Sequence, residues 1–299
     1  MTPIVGKLIV LALLAAIGVV LAATRAFWMP VAGHALPSIW RVAKITVSEA
    51  RRRRVLQAVV LLVVLILFFM TFFSYLSPQE QARYHISGGL ATITVFGILL
   101  AIFVGAFLIP HEIETRTVYA ILAKPVRRFE FVLGKYLGAL IILGVIVAIM
   151  TAALVGVLMV QDFLIEDLPD SAFNPNLAGV VFAAAMSYCA LAVLTALIML
   201  ISTVSSTTMT VISAFIIWGV GSLQSQIYEL AERAAGPTQV LLLIIYHVVP
   251  KLEHFDFRQP VSNMVPVSLL SGWGPLLHGV GYTMVVLILA SIFFNDRQV

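Results

Sequence analysis

Ser171–Tyr228 reads SAFNPNLAGVVFAAAMSYCALAVLTALIMLISTVSSTTMTVISAFIIWGVGSLQSQIY, 58 residues without an Asp, Glu, Lys or Arg. About 20 apolar residues cross a bilayer core as a helix, so this stretch is too long for one span. The polar run Ser202–Thr208, STVSSTT, divides it, and two helices joined by a tight turn are predicted. Uncharged apolar stretches of spanning length recur on either side, at Val55–Leu76, Ile86–Pro110 and Tyr136–Gln161, and within Pro275–Phe294 before the polar tail NDRQV. The expected fold is an all-α, polytopic membrane helical bundle with six core transmembrane helices.

Composition points the same way. The 299 residues are 61% hydrophobic and 11% charged, against roughly 45–50% and about 25% in a soluble domain. One water-soluble core cannot bury that excess. The single Cys189 lies inside an apolar run, so no disulfide framework exists and sidedness must come from charge. A net charge of +4 would suit nucleic acid only on a soluble basic face, which is lacking. The basic residues instead flank apolar spans, where anionic lipid headgroups are their natural neighbours.

Lys and Arg concentrate in cytoplasmic connections. With Arg25–Arg54, His111–Lys135 and Asn295–Val299 inside, that side holds 13 of the 18 basic residues, and the other side holds nine of the 14 acids. The C-terminus is then cytoplasmic. Leu8–Thr24 forms a further apolar segment behind Lys7. Read as a signal peptide it would be cut near Ala22, and cleavage would export Arg51–Arg54. An uncleaved extra helix suits the charges better, and a segment lying in the interface is the remaining reading. Between Pro37 and Arg54, Ile39, Val42, Ala43, Ile45 and Val47 alternate with Arg41, Lys44, Ser48 and Arg51, which predicts an amphipathic helix on the cytoplasmic surface. Val240–Val249, closed by Pro250, is too short to cross and is expected to be interfacial or re-entrant on the external side.

Several chemistries lack their residues. Gly134-Lys135 has neither the preceding glycine nor the following hydroxyl of a phosphate-binding loop, so ATP is not cradled by this chain. His111-Glu112 is followed by Thr115 where a second zinc ligand would stand. Gly221-Ser222 runs into Leu223, without a serine-hydrolase elbow. The spans Val55–Leu76, Ile86–Pro110, Tyr136–Gln161 and Pro275–Phe294 hold no carboxylate for a proton relay. No catalytic residue, metal or cofactor is expected on the chain. His278 is the one ionisable side chain expected at membrane depth, satisfied by a neighbouring helix in preference to contacting a substrate. Small residues spaced by four, Gly97-Ala101-Gly105 and Gly144-Ala148-Ala152-Gly156, suit close helix packing, within one subunit or between two.

The most informative connection is Ile109–Gly138, IPHEIETRTVYAILAKPVRRFEFVLGKYLG. Pro110 suits a helix start, and Glu112 and Glu114 in its first turn complement the helix dipole. Glu112 and Arg116 are four apart, and Pro125 ends the helix before Arg127, Arg128, Glu130 and Lys135 lead into the next span. A short charged helix-turn-helix with Val118, Tyr119, Ile121 and Leu122 on its apolar side reads as a docking surface.

This loop resembles the first cytoplasmic loop of ABC-2-type permeases, matching at Glu112, Glu114, Arg116, Thr117, Leu122, Lys124, Pro125, Val126, Arg128, Gly134 and Lys135. A second match, P-x-L-E-x-F-D-x-R at Pro250, Leu252, Glu253, Phe255, Asp256 and Arg258, is similar to the external loop of permeases grouped with copper-enzyme maturation and gliding motility. The resemblance implies a permease domain over 36–299, preceded by an extra segment 1–35, with a coupling loop 111–135 and an external segment 229–271. It also implies the permease subunit of an ABC exporter in a bacterial inner membrane, pairing with a second copy and with a cytoplasmic ATPase that binds ATP and Mg. The alternative is a non-transporting anchor or assembly factor that recruits a cytoplasmic protein.

Overall fold

The computed structural model describes residues 25–52, 54–70, 78–108, 127–164, 177–234, 236–265, 267 and 269–296. Within these the chain forms α1 (Arg25–Arg51), α2 (Arg54–Met70), α3 (Pro78–Leu108), α4 (Arg128–Leu164), α5 (Leu177–Val204), α6 (Thr207–Ser222), α7 (Gln224–Arg233), α8 (Pro237–Val248), α9 (Arg258–Ser262) and α10 (Trp273–Asp296), with 3-10 turns at Leu252–Phe255 and Leu269–Gly272. The described residues contain no strand. Among the described residues four helices are long and apolar enough to cross a membrane, and up to six if each sharply bent pair, α1–α2 and α6–α7, is one span. The chain is an all-α polytopic membrane bundle.

α5 is the central helix, packed against α3, α4 and α10. The Gly97-Ala101-Gly105 stripe resolves to packing within the chain: a Cβ at Gly97 would meet Leu191, and one at Gly105 would meet Ile198. Hydroxyls that a hydrocarbon setting would leave stranded are returned to their own helix, as at Thr195 to the Leu191 carbonyl (2.7 Å) and Thr151 to the Val147 carbonyl (2.7 Å). Two tyrosines clasp α4 to α5: Tyr136 donates to the Ala192 carbonyl at 3.1 Å and Tyr188 to that of Leu140 at 3.0 Å. Outward faces stay apolar, as along Leu277, Val280, Met284, Ile288 and Ile292 of α10, because lipid exacts no penalty for them.

The polar STVSSTT run divides the long uncharged stretch as expected, with the break at Ser205-Ser206. The second of its helices does not continue to Tyr228, however. It stops at Ser222, and the chain turns by 70° at Leu223 into α7. Boundaries elsewhere also move outward. α3 begins at Pro78, not Ile86, and α4 at Arg128, not Tyr136; hydropathy marks the hydrocarbon portion of a helix, whereas backbone hydrogen bonding carries it on through polar turns. His85 is thereby drawn into a spanning helix and buried, its Nε2 2.9 Å from the Met70 carbonyl, so His278 is not the one histidine at that depth. The apolar segment Leu8–Thr24 lies outside the described residues.

Candidate functional site

The joint between α1 and α4 is a close helix contact that brings backbone near backbone. Gly134 and Gly138, one turn apart on α4, remove the side chains that would hold α1 away. A Cβ at Gly134 would lie 2.6 Å from the Val42 Cβ and 2.9 Å from the Ile39 carbonyl oxygen, and one at Gly138 2.6 Å from the Thr46 Cβ. The order of these contacts sets α1 running in the same sense as α4. Ile39, Val42, Ala43, Thr46 and Ala50 form its buried side. Ile45, expected on that face, is 53% exposed; at about 100° per residue it falls beyond the edge of the arc that Val42, Thr46, Ala50 and Ala43 occupy.

Two charged groups are buried at this joint. Lys135 is 1% exposed and pairs with Glu49 of α1 at 3.9 Å, its ammonium also lying 5.8 Å from the centre of the Phe131 ring. Phe131 stacks on Phe294 near the end of α10 at 5.6 Å. The Glu130 carboxylate accepts the Arg127 backbone N–H at 3.3 Å, closing the first turn of α4 where a negative charge suits the helix dipole. Glu49 is itself 40% exposed, so the pair lies at the edge of the joint; the ion pair ties α1 to α4, and the Phe131–Phe294 stack ties α4 to α10. Of the loop residues singled out, Glu112, Glu114, Arg116, Thr117, Lys124 and Pro125 lie outside the described residues, and Arg128 opens α4.

The 250–258 motif is fully placed at the opposite end, and each residue has a mechanical task. α7 and α8 form a hairpin over the truncated end of α6, turned at Gly236, whose φ of 69° favours glycine. α8 is apolar and short, as Val240–Val249 was expected to be. The Pro250 carbonyl sits against Gly221, where an added Cβ would approach within 3.0 Å. Leu252 and Phe255 are buried in the main core, Phe255 against Gly279 of α10 and Val193 of α5. Glu253 accepts both donors of Ser225, the backbone N–H at 2.9 Å and the hydroxyl at 2.7 Å, and so caps the start of α7. Gln224 donates to the Tyr246 and Val249 carbonyls at 3.3 and 2.7 Å, while its own Oε1 finds no donor among the described residues. Lys251 donates to the Tyr246 hydroxyl at 2.9 Å.

Asp256 and Arg258 form a two-point pair, Nε to Oδ1 at 2.8 Å with Nη2 on Oδ2, and the Arg258 backbone N–H adds a third bond at 3.1 Å. Partial burial pushes the Asp256 carboxyl up, but the bonds and charge of Arg258 outweigh it and hold the group below the usual carboxylate range. Burial, then the Lys251 charge, lowers the neighbouring His254. His278, in the second turn of α10, is exposed beside Tyr282, ring centres 6.4 Å apart. Among the described residues no group of three His, Cys, Asp or Glu converges to hold a metal.

Sequence reasoning found the 250–258 motif but not its partners. Ser225 carries no pattern of its own, and Glu49 is the single acid amid the basic cluster. Gly134-x-x-x-Gly138 carries close-packing spacing, of which the loop match takes in Gly134 alone.

A bundle of long apolar helices, braced by the 250–258 motif, defines a multi-pass membrane protein. The chain belongs to the ABC-2 transporter family: residues 40–299 match the family described as ABC-2 family transporter protein. It is the permease subunit of an ABC transporter. No curated protein matches the chain at a significant level.

Proposed function

We propose that this permease is an exporter subunit driven by a separate cytoplasmic ATPase, with the loop 111–135 as the element on which that ATPase acts. The observation that carries the reading is the family match over 40–299, which contains both the loop and the 250–258 motif. The basic asymmetry supports an orientation with the loop and C-terminus in the cytoplasm of a bacterial inner membrane. ATP and Mg are bound by the partner, and two permease copies enclose the pathway.

In this reading Glu112, Glu114, Arg116, Thr117, Lys124, Pro125 and Arg128 form the docking face, and Gly134 and Lys135 follow directly on the same chain. Movement imposed on the loop reaches α4 first. The α1–α4 joint and the Phe131–Phe294 stack then pass it to α1 and α10 as one body. Such coupling requires contacts that differ between two states, and mixed charges on the loop supply them. The 250–258 segment, braced by Glu253 and Asp256–Arg258, closes the external end. Affinity purification in mild detergent tests the partnership: a nucleotide-binding ATPase should co-purify in stoichiometric amount, and repeated recovery of the chain without one would overturn it.

A further inference from the structure

A cavity of about 330 Å³ opens beside the α1–α2 bend, lined by Trp40, Lys44, Val47, Ser48 and Arg51 of α1 and Ile141 of α4. The α1 residues fall on one stripe, so two cations, one hydroxyl and one indole share a single face. Lys44 lies over the Trp40 ring at 5.6 Å. Among the described residues neither Lys44 nor Arg51 forms an ion pair. Trp40 is 52% exposed, the amphipathic placement typical of a membrane–water boundary.

The apolar side of the cavity continues down α4. Val145 and Ile149 follow Ile141 at intervals of four and are 55% and 46% exposed, giving an open strip from the cavity toward the hydrocarbon. The apolar run Tyr136–Gln161 rises about 39 Å at 1.5 Å per residue, longer than a core of roughly 30 Å. The first turn of that run therefore sits at the hydrocarbon boundary, with Ile141 about 8 Å further along, beside the upper part of an acyl chain.

We propose that this cavity is a binding site for one anionic glycerophospholipid. Lys44 and Arg51 hold the phosphate, Ser48 donates to it, Trp40 covers the glycerol region, and an acyl chain follows Ile141, Val145 and Ile149. Among the described residues the lining holds two cations and no carboxylate, which favours a headgroup of net negative charge over a zwitterionic one. A lipid so placed would wedge the bend between α1 and α2 against α4.

The assignment rests on the membrane character of the chain and needs no ATPase, so its failure and that of the coupling proposal are separate results. Delipidated protein in detergent is titrated with phosphatidylglycerol or phosphatidylcholine and read by native mass spectrometry. One phosphatidylglycerol should be retained about tenfold or more tightly than phosphatidylcholine. Lys44→Gln with Arg51→Gln should abolish the preference, while Arg233→Gln, on α7, should keep it. Should the double variant not fold, Ile141→Trp fills the cavity with both cations intact and should also remove it. Equal retention of the two lipids, a preference that survives in the folded variant, or displacement of the lipid by excess inorganic phosphate would overturn the proposal, the last by marking a site for free anions.

Discussion

Glu253 shows how a short motif encodes architecture without announcing it. Its carboxylate holds the backbone and hydroxyl of Ser225, 28 residues away, so the glutamate was visible in the sequence as part of a pattern and its purpose was not. Hydrogen bonds to a charged group contribute about 1.5–3 kcal/mol. Glu253→Ala should lower stability by that order, discounted for partial exposure, with Glu253→Gln milder because one acceptor remains; thermal unfolding in detergent measures both. Asp256 gives a pH signature. Its carboxyl is depressed in the folded chain, so the stabilisation is complete above its ordinary value of 3.8 and is lost as pH falls below that toward the depressed value. Amide protection factors at 250–258, corrected for the intrinsic pH dependence of exchange, should fall as pH drops below that ordinary value, and Arg258→Gln should remove this step.

At the level of elements, hydropathy located the helices and misplaced their ends. Polar turns such as Gln79–Arg83 at the head of α3 and Arg128–Lys135 at the head of α4 are helical because their backbones are, and a hydrophobicity criterion stops short of them. The bend at Leu223 was illegible for the opposite reason: no charge or proline marks it, and it follows from Gly221 packing on the Pro250 carbonyl, a contact between distant segments. The small-residue stripes were legible as stripes, and their partners came only from the fold. Gly134→Ala must displace α1 backbone as well as Val42, so a loss of about 1–3 kcal/mol is expected. Gly156→Ala on the same helix meets nothing within 4 Å and should be neutral or slightly stabilising through helix propensity. Comparable losses at both positions would contradict the close joint.

For the whole molecule, the six apolar stretches were legible because each needs only composition and length, and the family because two motifs survive intact on one chain. Sidedness rests on the distribution of 18 basic residues, which predicts that Arg52→Cys and Arg127→Cys escape membrane-impermeant thiol reagents in intact cells while Asn263→Cys is labelled. The reverse pattern would invert the molecule and place the loop beyond reach of a cytoplasmic ATPase. The most direct measurement is ATPase stimulation in proteoliposomes that contain this chain and the ATPase that co-purifies with it. Glu112→Lys with Glu114→Lys should cost about 1 kcal/mol locally at the helix start that the sequence predicts, leave insertion unchanged, and repel the partner's surface. The account predicts stimulation by the wild-type chain and its loss in the double variant; undiminished stimulation and normal stoichiometry with both glutamates reversed would contradict it.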